Sequence, residues 1–459
     1  MRQRAAALGL WISELDSTSI PGQLASKMRD HLLDTIGAAI VGTGRTPTRV
    51  AESVYSAPGE VPVLTGAASR DLRDAARVNA VASHAAEIDD TEGCDHTGAV
   101  VVSALMALFQ DPQSQLSKDD LLSAMVAGYE VGRRVQNSLG GYDAANANGW
   151  HSTAICGVFA AAAAAARALG LNAEQSTAAL AIAASSSSGG WAFQTDGSMT
   201  KQLHVANAAG NGVQAALLAQ AGATGPTAIF DDDVWGGFFS THGDVHAAPD
   251  ELIVGLGSVW RAEHSAIKMY AACRSAHPAL DGIVALLTQG RFEPRDVLHV
   301  EIRTSPLLRA MICPPAPETV EAARMSLPIS IALLLLGLPL DPDTYEQFRD
   351  DSVNELLTQI HVVDRADLPS QQWVEVDIHV RDGDEVRVLS VSGDEARGSE
   401  SHPFTAIEVR AKFRRLAGAR IGTEPAERII AAIETLGAVD GTGEINSAPF
   451  PSIWGSAET

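Results

Sequence analysis

Apolar residues recur at intervals of three and four through most of the first 265 residues, the spacing that lines one face of a helix. It predicts helices over Ile20–Val41, Ala99–Phe109, Leu121–Val135, Thr153–Leu169, Ala173–Ala184 and Val205–Ala221, with Gly, Pro, Asn and Ser clusters between them. Ser19 and Pro21 suit the cap and first turn of the first of these. Several segments are apolar nearly all round, as helices buried among other helices are. This part of the chain predicts an all-α bundle.

The period changes after about Ser265. Val297–Thr304 alternates apolar and polar residues as a strand does. Trp373–Val380 and Glu385–Val391 alternate likewise around Arg381-Asp382-Gly383-Asp384, a hairpin signal. A Pro-rich loop, Pro314–Pro317, and an apolar helix from about Glu321 to Gly337 lie between these strands. Helices return over Thr405–Leu416 and Pro425–Leu436. The predicted fold is mainly α: a large all-helical domain (1–264 plus 403–459) with an inserted smaller α+β domain (265–402).

A chain of 459 residues is too long for one ordinary core, which agrees with two domains. Its net charge of −23 argues against nucleic acid or an anionic membrane as partner. An anionic substrate would need basic residues focused in a pocket, against the sign of the whole molecule. Cys94, Cys156, Cys273 and Cys313 form no CxxC pair, which fits a reducing cytoplasm and not a zinc finger. Arg2 and Arg4 precede a short apolar patch with no small-residue cleavage site after it. The apolar run Leu327–Leu340 contains Pro328 and Pro339 and is too short to span a bilayer. The expectation is a soluble, cytoplasmic protein.

The densest chemistry lies between His84 and Val100, where HAAEIDDTEGCDHTGAV carries five carboxylates and two histidines. Read as a helix broken at Gly93, this stretch puts Glu87 and Thr91 on one face. A solvated acidic turn is the plain alternative, though such turns rarely add a hydroxyl, a thiol and an imidazole. His96, His151 and His277 each stand in a short turn that opens a helix. Helix N-termini offer unpaired N–H groups and a positive dipole end, a seat for a carboxylate. An imidazole there has a depressed pKa and can serve as a base near neutrality.

Lys201 opens the helix through His204 and Asn207, at the end of the dipole that repels it. Its ammonium is expected to face an anion and to add nothing to folding; a surface lysine paired with Asp196 is the alternative. Lys268, Arg274 and Arg324 are further anion-binding candidates, each also readable as an ordinary structural charge. Asp89, Asp90, Glu92, Cys94, Asp95 and His96 could ligate a metal, but no HExxH or EF-hand spacing is present. There is no Gly-rich phosphate loop after a strand and no GxSxG elbow.

Taken together, LLDTIGA (Leu32–Ala38), the EIDDTEGCDHTGAV block, GWHSTAICGVF, the Ser185–Ser188 turn, DGSMTKQLHVANAAGNG, KMYAACRSAHPALDGI and EAARMSLPISIALLLLG resemble the MmgE/PrpD family across nearly the whole chain. That family contains 2-methylcitrate dehydratase, cis-aconitate decarboxylase and iminodisuccinate epimerase. The resemblance implies chemistry beside a carboxylate on a small di- or tricarboxylate, without a metal or organic cofactor. It also implies a helical domain, an α+β lid, a pocket between them and a homodimer. The decarboxylase pattern's Asp, Thr and His fall on Glu87, Thr91 and His96, and its further His, Lys and lid His on His151, Lys201 and His277. Glu87 is one methylene longer than the usual Asp. Ile329 stands where the pattern carries a tyrosine, and the lost hydroxyl counts against cis-aconitate itself.

The leading expectation is a cofactor-independent lyase, a dehydratase or decarboxylase. Lys201 would hold substrate carboxylate together with Asp90, Lys268 and Arg274. His96 and His151 would move protons, His277 would close the site, and Thr91 and Glu87 would complete the catalytic set. An epimerase with two opposed bases, a catalytically silent binding protein and a metal-dependent hydrolase are the competing readings.

Overall fold

Helix Ser152–Ala168, STAICGVFAAAAAAARA, is buried at every position from Ser152 to Ala166. Its run of alanines carries no bulk, so neighbouring helices can approach to backbone distance. A Cβ built on Gly212 would lie only 2.4 Å from the Cβ of Ala161, which is why helix Thr200–Gln220 has glycine there. Helices Thr97–Gln110 and Lys118–Ser138 pack against the same alanine helix. Such packing gains little per alanine side chain, but close-set backbones sum many dispersion contacts.

The computed structural model describes residues 4–314 and 316–436; Arg2 and Pro315 lie outside the described residues. The chain divides into two units, one comprising the described residues of Met1–Trp191, Lys201–Ile267 and Phe404–Thr459, the other Ala192–Thr200 and Lys268–Pro403. The fold is mainly α, a large helical unit and a smaller α+β unit inserted in the chain. Among the described residues, no helix is long and apolar enough to cross a membrane.

In the helical unit, helix Ala406–Phe413, which follows the smaller unit in the chain, returns to helix Gly22–Gly42. Lys412 donates to Asp34 Oδ1 at 2.5 Å and to the Ile88 carbonyl at 2.8 Å. Burial pushes the Asp34 carboxyl up to about 6, against the pull of Lys412. The pair thus clamps helix Ala406–Phe413 beside the segment that follows helix Leu72–His84. Arg4 is likewise buried, donating to Asp232, Asp250 and the Phe230 carbonyl.

The smaller unit holds a four-stranded sheet, β1 (Val297–Thr304), β2 (Ile360–Asp364), β3 (Val374–Asp382) and β4 (Glu385–Gly393), in the order β2-β1-β3-β4. β1 runs parallel to β2 and antiparallel to β3. The β3–β4 hairpin turns between Asp382 and Glu385, with Gly383 at φ 66°. Val300, Ile302, Val376 and Ile378 are buried on one face. Helix His277–Thr288 packs against β3 and β4.

Four sequence expectations need correction. Asp16, not Ser19, caps the opening turn, accepting from the N–H groups of Thr18 and Ser19, and Pro21 is the N-cap of Gly22–Gly42. The Glu321–Gly337 helix is two, Val320–Arg324 and Leu327–Leu335. Pro328 cannot extend an upstream helix, and Ser326 caps the second one through the Ile329 N–H. Strand β2 was not legible, because a five-residue edge strand shows too little alternation. The helix expected through Glu87 and Thr91 is a loop.

Replacing Lys412 with Met should leave Asp34 buried without its cation and cost about 3–5 kcal/mol in urea unfolding. Pairing it with Asp34→Asn should recover a large part. Equal losses in the single and double variants would show that the clamp is packing and not charge.

Candidate active site

Helix Leu72–His84 stops at the first residue of the acidic block. Glu87, Glu92 and Asp95 then take left-handed backbone angles, φ 55°, 64° and 74°, which no helix can accommodate. Each such residue carries a conformational cost, and clusters of them mark segments that tertiary contacts over-determine. Asp90 supplies one set of contacts. Its Oδ1 accepts the Gly98 N–H at 2.7 Å, and its Oδ2 accepts the Tyr129 hydroxyl at 2.5 Å and lies 2.9 Å from His31 Nδ1. A Cβ at Gly98 would fall 2.3 Å from Thr35 Oγ1 and 2.8 Å from Asp90 Oδ1, so only glycine opens this helix. Thr91 exchanges two backbone hydrogen bonds with Ala266, each 2.8 Å.

The imidazoles gather around the other carboxylates. Asp89, fully buried, accepts from His84 Nδ1 at 3.1 Å and from His96 Nδ1 at 2.9 Å. Burial works against its ionisation, yet His84 and His96 hold it well below the usual carboxylate range. The His84 and His96 rings stand 4.0 Å apart. His96 is the N-cap of helix Thr97–Gln110 and His151 that of helix Ser152–Ala168. Asp95 Oδ2 lies 3.7 Å from His96 Nε2 and 3.6 Å from His151 Nε2, while Thr91 donates to Asp95 Oδ1 at 3.2 Å. His151 Nδ1 is 3.0 Å from His204 Nδ1, so one ring donates to the other. Burial pushes His151 down to about 3 and His204 down to about 4.

Lys201 faces an anion, and that anion is Glu87. Its Nζ lies 2.7 Å from both Glu87 oxygens, and both side chains are buried. His84 Nε2 and His96 Nε2 stand 3.7 Å from the two oxygens of the same carboxylate. This pairing argues against the expectation that Lys201 adds nothing to folding. The dipole penalty is tenths of a kcal/mol, whereas an uncompensated buried charge costs several.

Of the expected residues, Glu87, Thr91, His96, His151 and Lys201 come together in the helical unit. Asp90 is occupied by three protein donors and anchors the loop. His277, Lys268 and Arg274 belong to the smaller unit. There His277 opens helix His277–Thr288, its Nε2 3.2 Å from the Ala272 carbonyl and its ring 5.0 Å from Tyr270. Tyr270 donates to Asp281 at 2.8 Å. Lys268 is wholly buried, and Arg324 donates to the Pro342 carbonyl. Ile329 is buried; beside it Ser330 shares a 2.8 Å hydrogen bond with the buried Tyr345.

Sequence reasoning missed His84, His204 and Tyr270 as neighbours of the expected histidines. His84 and His204 had a usable signal, since each is a histidine in or beside a segment already singled out. Two trios, His84–Asp89–His96 and Asp95–His96–His151, bring three donor atoms within 4.8 Å of one another, the spread of a metal site. In the first, both Nδ1 atoms are already paired with the carboxylate, which makes a hydrogen-bonded unit and not three converging lone pairs.

Lys201→Met should destabilise the protein by about 3–5 kcal/mol, and Glu87→Gln in the same chain should restore much of it. Additive losses in urea unfolding would mean that the two side chains are not coupled. A second outcome concerns pH. Unfolded histidines titrate near 6.5, so between about 6.5 and 4 the unfolded chain binds protons that folded His151 and His204 refuse. Stability should be full above that window and fall by about 2 kcal/mol per histidine, about 4 kcal/mol for the two, by pH 5. His204→Gln should flatten the profile; an unchanged slope would assign the acid loss elsewhere.

The MmgE/PrpD N-terminal domain pattern matches residues 6–247 and the MmgE/PrpD C-terminal domain pattern residues 270–438. The chain is 28% identical over 455 residues to a cis-aconitate decarboxylase-like protein, oryM, of Aspergillus oryzae, covering 92% of each. It is 27% identical over 450 residues to cis-aconitate decarboxylase of Homo sapiens, covering 93% of this chain and 92% of that protein. With cis-aconitate decarboxylase of Aspergillus terreus it shares 27% identity over 316 residues, 64% of this chain and 63% of that one. With both domain patterns found in order and spanning the acidic block, both helix-capping histidines, Lys201 and His277, this chain belongs to the MmgE/PrpD family.

Proposed function

We propose that this protein is a cofactor-independent lyase that removes CO₂ from a small tricarboxylate of the cis-aconitate type. The observation that carries the reading is the buried set of Lys201, His96 and His151 around the Glu87 and Asp95 carboxylates. Relatives at 27–28% identity that bear the name of that activity support it.

Decarboxylation breaks one carbon–carbon bond, leaves its electron pair on the substrate and consumes one proton for each CO₂ released. The site has to stabilise the developing charge and supply that proton. Lys201 is the fixed cation, and a substrate carboxylate must share it with Glu87 or displace Glu87 from it. A preorganised cation in a buried site is worth far more than one in water. His151, held neutral by burial, accepts a proton when a polyanion arrives, because opposite charge favours the protonated form. His151 and His96 then pass the proton to the carbanion. Asp95, 3.6–3.7 Å from both, stabilises whichever imidazolium forms.

His277 is proposed as a residue of the same reaction on the family pattern alone, and Lys268 and Arg274 as cationic candidates for a substrate carboxylate. A homodimer is proposed on the same pattern, and a reducing cytoplasm on the scattered cysteines with no CxxC pair. Dehydration of a 2-methylcitrate-type substrate is the reading that Ile329 keeps open, since a decarboxylase-pattern hydroxyl is missing there.

The deciding experiment incubates purified protein with citrate, 2-methylcitrate, cis-aconitate and aminated dicarboxylates and follows each by proton NMR. Cis-aconitate should lose CO₂, and His96→Ala and His151→Ala should each cut turnover by roughly a hundredfold or more. Near-normal turnover in both variants would make these histidines structural. Deuterium exchange without net product would instead identify an epimerase.

A further inference from the structure

We propose that Asp89 is a positioning residue that presents two imidazoles to the substrate, and that His84 is the second of them. The inference deepens the lyase reading above and rests on it for the substrate, but its structural half stands alone.

An ionised carboxylate only accepts hydrogen bonds. Asp89 lies 3.1 Å from His84 Nδ1 through either oxygen and 2.9 Å from His96 Nδ1. Both rings must therefore carry their hydrogen on Nδ1, and in the neutral state both Nε2 atoms are bare acceptors. Those two Nε2 atoms converge on one place, 3.7 Å from the two oxygens of Glu87, where Lys201 also arrives. One carboxylate thus fixes tautomer and aim for two bases on opposite ends of the loop.

His84 Nε2 is the odd atom of this set. It is buried and has no hydrogen-bond partner. A buried polar atom left unmatched is costly, and native structures keep few of them. The chemistry that satisfies it is a donor brought by the ligand: a hydroxyl, a carboxylic O–H or a proton bound for the substrate. The matched family positions do not include His84. It is the last residue of helix Leu72–His84, a position that reads as an ordinary helix end.

The test uses the full chain with ¹⁵N-labelled histidine. Two of its imidazoles, assigned to His84 and His96 by single substitution, should show the Nδ1–H tautomer near pH 7.5. In Asp89→Asn the side chain offers one oxygen acceptor and an N–H donor, so at least one of the two rings should switch to the Nε2–H form. Wild-type rings in the Nε2–H form, or rings unmoved by Asp89→Asn, would overturn the proposal.

The kinetic arm uses His84→Asn, whose amide nitrogen can replace Nδ1 toward Asp89 while the Nε2 atom is deleted. On cis-aconitate its kcat should fall at least about tenfold with KM within about threefold, and its thermal midpoint should hold. Unchanged kcat in a folded His84→Asn protein would overturn the role of His84. If that variant does not fold, the tautomer result in Asp89→Asn decides. Wild-type protein inert toward cis-aconitate, with the Nδ1–H tautomers present, would sink the lyase reading and leave the positioning by Asp89 standing.

Discussion

Four carboxylates, Glu87, Asp89, Asp90 and Asp95, are buried within nine residues of one loop, and the helical unit is arranged around satisfying them. An unpaired buried carboxylate is among the costliest groups a fold can hold. Each therefore recruits donors from a different element. Asp90 draws on His31 of helix Gly22–Gly42, Tyr129 of helix Lys118–Ser138 and Gly98 of helix Thr97–Gln110. Glu87 draws on Lys201 of helix Thr200–Gln220, and Asp89 on His84 at the end of helix Leu72–His84. The neighbouring Ile88 carbonyl takes Lys412 from helix Ala406–Phe413. Six helices are thus placed relative to one another by a segment with no regular structure.

The same constraint produces the chemistry. Burial keeps His151 and His204 neutral at ordinary pH, so they can take up a proton when an anion enters. Lys201 and Glu87 pair deep in the unit, so the side chain that could meet an anion already has its partner inside the protein. A site of this kind meets an anionic substrate by exchanging partners inside the protein. Left-handed backbone at Glu87 and Asp95, the two residues that face Lys201 and His151, fits the general rule that strain gathers where function fixes geometry.

The two neighbouring aspartates show how little a letter says about its role. Asp89 and Asp90 are adjacent and equally buried, Asp89 with two donor residues and Asp90 with three. Asp89 contacts the Nδ1 atoms of the two imidazoles that face Glu87. Asp90 fixes the loop to three helices and faces none of the imidazoles at Glu87. Successive residues of an irregular loop point in unrelated directions, and only the partners each one finds tell them apart.

By itself the sequence determined the class of the fold. Among the described residues, eight helices and three of the four strands were legible in the sequence, because burial on one face leaves a period of 3.6 or 2 in the letters. His96, His151 and Lys201 were legible as candidates because a helix start is a local event with a local electrostatic signature. Tertiary structure alone decided the rest. The loop path through Glu87, Glu92 and Asp95 depends on donors brought from distant elements, so spacing within the block suggested a helix that does not form. That Glu87 is the anion of Lys201, 114 residues away in the chain, is a matter of packing. His84 counts as more than a helix end only because the loop turns Asp89 back onto it, and no periodicity records such a turn.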